Sequence, residues 1–284
     1  MRVLVTGAAG FIGARLVPAL AQAGHEVLAL VRDPDRAPAD ATAVVADLAR
    51  PLSGIPPADA IVHLAQANVP FPDAADELYR VNTLSTLALL EHARATGAER
   101  FVHASSGSIY GLGEGAVDEE SARRASDFYA VTKRNAEQLV SAYAPFFATA
   151  VLRPFAPYGP AQQGRLIPGL VRRVREGVPV TLHDGGRPRM TPIFVDDAVR
   201  AFVAALDLDG HHVVNVAGDE IVSIAELAER IGDVVGREPV FDHRDPAAGD
   251  LIADNRRLHE LLVPGRLVPL AEGLRATALA GAVA

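Results

Sequence analysis

Residues 6–13 read TGAAGFIG and join an apolar strand pattern at residues 2–6 to a helical pattern at residues 13–23. A glycine-rich turn between a strand and a helix is the setting in which such a loop binds the pyrophosphate of a dinucleotide. We expect Gly7 to permit the tight turn, Gly10 to let the backbone approach the phosphates, and Gly13 to let the helix pack closely on the strand. The start of the helix adds unpaired N–H groups and a positive dipole end. The loop residues expected to contact the cofactor are Gly7, Ala9, Gly10, Phe11 and Ile12.

Strand and helix patterns alternate through the first half of the chain, which is typical of a parallel sheet covered by helices on both faces. There the predicted strands are residues 2–6, 26–31, 42–46, 60–64, 100–105 and 149–152, and the predicted helices are residues 13–23, 77–95 and 126–142. In the second half, helices are predicted at residues 166–176, 195–207 and 223–235, and short strands at residues 192–194, 212–216 and 240–242. We therefore predict an α/β protein with a Rossmann-like, doubly wound parallel sheet. The expected NAD(P)-binding domain covers residues 1–160 with a return segment near 190–216, and residues 161–284 form mainly a smaller C-terminal substrate-binding region.

Composition narrows the class of partner. The chain has 284 residues, a net charge of −8 and no cysteine. A negative net charge disfavours nucleic acid and anionic membranes as partners, and the lack of cysteine excludes disulfides and thiolate chemistry. No apolar run approaches the roughly 20 residues of a membrane span, and the N-terminus has no signal-peptide pattern. We expect a cytoplasmic protein that acts on a small molecule and, since its histidines show no metal-ligand spacing, holds no metal.

The end of the second predicted strand bears on the choice of cofactor. An acidic residue at this place usually holds the ribose 2′-hydroxyl of NAD, but here Val31 is followed by Arg32. The forked donors of arginine suit a phosphate group. We therefore expect Arg32 to pair with the 2′-phosphate of NADP. The alternative is that Arg32 is a solvated surface charge and that Asp33 holds the ribose of NAD.

Residues 129–133 read YAVTK and place a phenol and an amine four positions apart. On a helix these side chains share a face. A free tyrosine, with a pKa of about 10, is a poor base at neutral pH, but a nearby ammonium group and the positive nicotinamide ring favour its phenolate form. The spacing therefore predicts that Tyr129 exchanges a proton with a substrate hydroxyl or ketone, and that Lys133 lowers the pKa of Tyr129.

These motifs, together with SSGSIYG at residues 105–111 and RPFAPYGP at residues 153–160, resemble those of the extended short-chain dehydrogenase/reductase family, which includes sugar-nucleotide epimerases and dehydratases. The resemblance implies that Ser106 hydrogen-bonds the reacting oxygen beside Tyr129, and that Lys133 also holds the nicotinamide ribose. It further implies that the cofactor lies along four residues at the ends of the third and fourth strands, Asp47, Leu48, Leu64 and Ala65. His63 is expected to be structural, and for Asn82 a helix-bridging role and a direct role in the site remain open.

The substrate side departs from the family pattern. Dehydratases of the family carry two acidic residues after the catalytic hydroxyl, whereas Ser106 is followed by glycine and serine, which disfavours dehydration. Ala156 and Met190 stand where the family usually has an asparagine and an arginine that contact a nucleotide diphosphate. The candidates for substrate contacts are Ser106, Tyr129, Arg153, Arg165 and Arg189. Arg165, Arg187 and Arg189 could contact a phosphate group, and the alternative for each of these three is a solvated surface charge.

Three functions fit these features. A ketoreductase would exchange NADP(H) at each turnover, and Arg32 favours this reading. A sugar-nucleotide epimerase, for example a 4-epimerase, would keep NAD bound, and the likeness of residues 105–111 and 152–160 to sugar epimerases favours that one. A non-catalytic NADP-sensing regulator would not need Tyr129 and Lys133, which are both present. The family resemblance also implies a homodimer formed through the helices at residues 77–95 and 126–142.

Overall fold

The computed structural model describes residues 1–183, 185–245 and 249–280. Within these residues the strands are β1 (Arg2–Thr6), β2 (Glu26–Val31), β3 (Thr42–Val45), β4 (Ala60–His63), β5 (Arg100–Ala104), β6 (Ala116–Val117), β7 (Ala148–Pro154), β8 (Val180–His183), β9 (Arg189–Met190), β10 (His211–Val216), β11 (Val222–Ser223), β12 (Phe241–Arg244) and β13 (Ile252–Ala253). The α-helices are α1 (Gly13–Gln22), α2 (Ala75–Tyr79), α3 (Ser85–Thr96), α4 (Phe128–Tyr143), α5 (Leu166–Glu176), α6 (Val195–Ala204), α7 (Ile224–Val235), α8 (Arg256–Leu261) and α9 (Leu270–Ala280).

The main sheet of the described residues has seven strands in the order β10-β7-β5-β4-β1-β2-β3. The ladders from β3 to β7 are parallel, with Val3 opposite both Val27 and Ala60. This arrangement confirms the predicted Rossmann-like sheet. The strand order reverses between β1 and β4, and ligands of such sheets bind beyond the carboxyl ends of the strands at that point.

Apolar side chains from the sheet and from α3 and α4 form one core. Leu4, Ile61 and Phe101 lie on three neighbouring strands and are at most 1% exposed, and they pack with Leu89 of α3 and Val140 of α4. Because parallel strands are covered on their faces, they read as almost continuous apolar runs, which is why β1, β2, β4 and β5 are visible in the sequence.

The chain divides into two compact units. Unit 1 consists of residues 1–109, 125–153 and 199–214, and unit 2 of residues 110–124, 154–198 and 215–284. Residues 110–124 fall within the predicted first domain but belong to unit 2. Unit 2 has its own core, in which α5, α7 and α9 contribute Leu170, Leu227 and Leu274.

Two predicted elements differ from the structure. The strand predicted at residues 192–194 is wrong, because Ile193 hydrogen-bonds the irregular segment at Phe155 and Tyr158 instead of a strand. The single helix predicted at residues 77–95 is α2, a π-helical turn at Arg80–Leu84, and α3 in succession. In described residues no helix is long and apolar enough to cross a membrane.

Candidate active site

The glycine loop at residues 7–13 is built by close backbone approaches. Gly7 has a φ of +69°, and a Cβ added to it would lie 2.7 Å from the backbone nitrogen of Ala65. A Cβ on Gly13 would lie 2.2 Å from the carbonyl oxygen of Gly7. The Gly10 N–H donates to that same oxygen over 2.9 Å, which closes the turn immediately before α1 begins. The glycine loop therefore needs glycine at these positions, and its place at the start of a helix fits a dinucleotide pyrophosphate.

A buried histidine ties the loop to the end of β4. His63 Nδ1 lies 2.7 Å from the Thr6 hydroxyl, and Nε2 lies 3.1 Å from the Thr86 hydroxyl. The Thr86 hydroxyl already donates to the Asn82 carbonyl, so Nε2 carries the hydrogen and Nδ1 accepts from Thr6. Burial and the neighbouring Lys133 lower the pKa of His63 to about 3, which keeps the ring neutral.

Asn82, in the π-helical turn, bridges two parts of the site. Its Oδ1 accepts from the Ala67 N–H over 2.8 Å, and its Nδ2 donates to the Ala67 carbonyl over 3.1 Å and to the Thr132 hydroxyl over 3.0 Å. Ala67 follows β4 and Thr132 lies on α4 between Tyr129 and Lys133. Asn82 therefore bridges the loop after β4 and the helix that carries the proposed acid–base pair.

Lys133 is fully buried, and its Nζ donates to the Ala104 carbonyl at the end of β5 over 2.7 Å. Burial lowers the pKa of this amine to about 7, against a smaller raising effect of Glu137. The hydrogen bond holds α4 against the carboxyl end of β5, two residues before Ser106. Tyr129 lies one helical turn away on α4, and its hydroxyl donates to Gln66 Oε1 over 2.6 Å.

Ser106 begins the turn that follows β5. Its hydroxyl oxygen accepts from the backbone N–H of Ser108 over 3.1 Å and from the Ser108 hydroxyl over 2.9 Å. The Ser106 oxygen is the acceptor in both of these local bonds, so neither of them uses the hydroxyl hydrogen. The geometry is compatible with donation from Ser106 to a substrate oxygen.

The residues predicted to bind the rest of the cofactor lie at the ends of the first strands. Arg32 is exposed directly after β2, and Asp33 caps the next turn by accepting from the Asp35 N–H over 3.1 Å. Asp47, just after β3, accepts from the Ala49 N–H over 3.0 Å. Three neighbours complete this edge: Leu48 and Leu64 are buried, and Ala65 donates its N–H to the Thr6 hydroxyl.

Arg153 does not match its predicted role as a substrate contact. Its side chain is fully buried, and its Nε and Nη2 donate to the two oxygens of Glu137 over 2.9 and 2.8 Å. A buried arginine paired in this bidentate way supports α4 and β7 from within. We therefore correct its assignment from a substrate contact to a core ion pair.

The other two candidate arginines lie in unit 2. Arg189 Nε and Nη2 donate to Asp250 Oδ2 over 3.0 and 2.7 Å, and the Arg189 N–H donates to Oδ1 over 2.8 Å. Arg165 is exposed at the N-terminal boundary of α5. The structure thus gives Arg189 a carboxylate partner that sequence reasoning missed, since Asp250 is 61 residues away.

Comparisons with known proteins show which family the chain resembles. The family model described as "NAD dependent epimerase/dehydratase family" matches residues 3–217. The chain is 32% identical to a UDP-glucose 4-epimerase of Mycolicibacterium smegmatis, covering 98% of this chain and 97% of the relative. It is 31% identical to a dTDP-4-dehydro-6-deoxy-D-allose reductase of Streptomyces bikiniensis, covering 97% and 94%. Among solved structures, MoeE5 in complex with UDP-glucuronic acid and NAD is 30% identical, with a TM-score of 0.86 and coverage of 100% and 99%.

Proposed function

Because the chain belongs to the NAD-dependent epimerase/dehydratase family, we propose that it is an NADP-dependent ketoreductase acting on a sugar or sugar nucleotide. The match confirms the family resemblance found in the sequence and makes the chain an NAD(P)-dependent enzyme. The observation that carries the proposed chemistry is the contact between Lys133 Nζ and the Ala104 carbonyl, because it fixes α4 beside the turn that holds Ser106.

In this proposal each residue has one task. When bound, the reduced cofactor supplies a hydride to the carbonyl carbon of the substrate. Ser106 donates a hydrogen bond to the carbonyl oxygen, and Tyr129 gives that oxygen the proton that completes the alcohol. Lys133 in its protonated form, one turn from Tyr129, favours loss of the phenolic proton. The glycine loop holds the pyrophosphate and so fixes the distance between cofactor and substrate.

Tyr129→Phe tests the chemical role directly. The variant keeps the aromatic ring and loses only the hydroxyl, so we expect turnover to be abolished while the dissociation constant of the cofactor stays the same. Lys133→Met is the matched comparison and is expected to impair both turnover and cofactor affinity. Full activity of Tyr129→Phe would overturn the mechanism.

Arg32 and Asp33 support NADP as the cofactor. Arg32 is the exposed cation at the end of β2, and Asp33 already caps the following turn. We expect Arg32→Gln to weaken NADP binding about tenfold, which corresponds to about 1.4 kcal/mol, and to leave NAD binding unchanged. A wild-type protein that binds NAD more tightly than NADP would contradict this part of the proposal.

A sugar-nucleotide epimerase with tightly bound NAD is the second candidate. It is favoured by the solved relative in complex with UDP-glucuronic acid and NAD. The two activities separate in one experiment with NADPH and a panel of keto-sugars and UDP-sugars. Net oxidation of NADPH supports the reductase, whereas NAD retained through purification with interconversion of sugar epimers supports the epimerase.

We also propose a homodimer formed through the segment at residues 75–96. Three of its apolar side chains, Tyr79, Leu84 and Leu87, are 38, 44 and 36% exposed. Burial of such side chains in a partner subunit would remove this apolar surface from water. Analytical ultracentrifugation of the wild type and of Leu84→Glu is the test, and a monomeric wild type would refute the proposal.

A further inference from the structure

Gln66 is a polar side chain for which the sequence predicts no role. It lies in the loop after β4, and its Oε1 accepts the hydrogen bond from the Tyr129 hydroxyl over 2.6 Å. Both of its neighbours are anchored. The Ala65 N–H donates to the Thr6 hydroxyl over 3.1 Å, and Ala67 exchanges two hydrogen bonds with Asn82. The backbone on either side of Gln66 is therefore fixed, so the fold itself presents the amide to the phenol.

The helix turn that carries Tyr129 is fixed to the same anchor. Asn82 donates to the Thr132 hydroxyl over 3.0 Å, and that hydroxyl donates to the Tyr129 carbonyl over 2.7 Å. The Thr83 hydroxyl adds a second link by donating to the Thr132 carbonyl over 3.0 Å. The contact between Gln66 and Tyr129 thus joins two segments that a buried network already holds in register.

We propose that Gln66 is a positioning residue that serves both protonation states of Tyr129. A carboxamide carries an acceptor oxygen and a donor NH₂ on one planar group. The oxygen accepts from the protonated phenol, as the structure shows. Once the phenol has given its proton to the substrate oxygen, a half-turn of the exposed amide presents the NH₂ group to the phenolate. A donor to the charged form stabilises it and lowers the pKa of Tyr129.

This inference rests on the proposed function, because it takes Tyr129 as the group that moves the proton. Other charged groups lie close to Tyr129 along the chain and must stay constant in any test. Lys133 lies one turn away on α4, and Asp127 caps that helix by accepting from the Ala130 N–H over 2.7 Å. The titratable groups that act on Lys133 are His63 on β4, His103 on β5 and Glu137 on α4. Glu137 is in turn paired with Arg153 on β7.

Two near-isosteric substitutions of Gln66 remove the donor, one without and one with an acceptor left in its place. Gln66→Met keeps the length of the side chain and removes both the donor and the acceptor. Gln66→Glu keeps acceptor oxygens, loses the donor and adds a negative charge. The chain has five tyrosines and no tryptophan, so tyrosinate absorbance is free of indole absorbance. Subtracting the titration of the matching Tyr129→Phe protein isolates the pKa of Tyr129, with each protein saturated with oxidised cofactor and its fold monitored by circular dichroism.

A hydrogen bond donated to the phenolate is stronger than one accepted from the neutral phenol, so Gln66→Met removes more stabilisation from the charged form than from the neutral form. We therefore expect Gln66→Met to raise the pKa of Tyr129 by about one unit, and Gln66→Glu to raise it further, because a carboxylate repels the phenolate. The pH profile of kcat should move by the same amount, while the KM for the cofactor stays constant. Gln66→Asn retains the amide on a shorter chain and should fall between the wild type and Gln66→Met. An unchanged pKa of Tyr129 in the folded variants would overturn the inference. If Tyr129→Phe retains full turnover, the proposed function fails instead, and the absorbance titration still reports the role of Gln66.

Discussion

Arg153 and Glu137 form a bidentate ion pair in the interior of the protein. The motif at residues 153–160 offers an arginine for an anionic substrate, but the side chain is 0% exposed and that of Glu137 is 4% exposed. Sequence reasoning could not find the partner, because Glu137 lies on a helix 16 residues earlier and carries no motif of its own. Both side chains are buried, so removing one of them leaves the charge of the other buried without its partner.

We therefore expect Arg153→Met to lower the free energy of unfolding by about 3–5 kcal/mol, because Glu137 loses its bidentate partner inside the core. The double variant Arg153→Met/Glu137→Leu should regain most of that loss, since neither charge is then buried. Urea unfolding of the four proteins in the double-mutant cycle measures the difference. A stable Arg153→Met protein with an increased KM for substrate would restore the original assignment.

His103 gives a prediction about pH. Its ring is fully buried beside His63, and neither ring nitrogen has a hydrogen-bond partner within the part of the chain that the structure describes. Burial, with smaller contributions from Lys133 and His63, lowers the pKa of His103 well below 6.5. Below about pH 6.5 the unfolded chain therefore binds a proton that the folded chain does not, so stability falls as the pH falls.

His103→Phe removes both unpaired nitrogens and the titrating group. We expect it to raise the free energy of unfolding by about 1–3 kcal/mol, and to make the loss of stability between pH 6.5 and pH 5 smaller than in the wild type. His63 continues to contribute in that range, so some loss remains. Chemical unfolding at several pH values is the measurement, with exposed His243→Asn as the control. An unchanged pH dependence would contradict this account.

At the scale of elements, the turn between β1 and α1 is specified by sterics more than by propensity. Gly7 and Gly97 have similar positive φ angles of 69° and 78°. A Cβ on Gly7 would meet the backbone of Ala65 at 2.7 Å, whereas within the described residues nothing lies within 4 Å of a Cβ on Gly97. Comparing alanine substitutions at the two positions separates the loss of stability due to the left-handed conformation from the loss due to the close approach.

Gly97→Ala should cost about 1 kcal/mol of stability, the price of a left-handed alanine, with no change in cofactor affinity. Gly7→Ala should cost clearly more, because backbone atoms must move, and it should weaken cofactor binding by at least about tenfold. Thermal unfolding and fluorescence titration with NADPH measure the two effects. If both variants lost the same stability and the same cofactor affinity, the close approach of Gly7 to Ala65 would not be what requires glycine at position 7.

The elements that could be predicted are those that depend on local sequence pattern, and the others depend on contacts with distant residues. The buried parallel strands and the strand–loop–helix unit follow from local pattern, so β1, β2 and α5 have the bounds that the sequence predicts. The π-helical turn at Arg80–Leu84 left no local signal. The strand predicted at residues 192–194 was wrong because these apolar residues pack against an irregular segment and do not pair in a β-ladder. In the candidate site, Tyr129 and Lys133 could be named from spacing, whereas Gln66 depends on contacts across 63 residues.

In the molecule as a whole, unit 1 is assembled from separate stretches of the chain. Unit 1 draws on residues 199–214 as well as on residues 1–109 and 125–153. This late segment is fastened to it by the Arg100 guanidinium, which donates to the Leu208 carbonyl over 2.7 Å and to Asp209 over 3.2 Å. Thr149 on β7 and His211 on β10 are joined by a further hydrogen bond of 2.7 Å.

A fragment of residues 1–160 therefore lacks β10, and the edge of β7 loses its neighbour in the sheet. An unpaired strand edge is prone to association, so we expect this fragment to aggregate or to melt without cooperativity, and to bind NADPH far more weakly than the full chain. The full chain should instead be stabilised by about 2.7 kcal/mol at a cofactor concentration of 100 times Kd. Circular dichroism melts of both proteins with and without cofactor make the comparison. A fragment that melts cooperatively and gains the same stabilisation would show that residues 199–214 are dispensable, and that the cofactor-binding unit is encoded by a continuous stretch of chain.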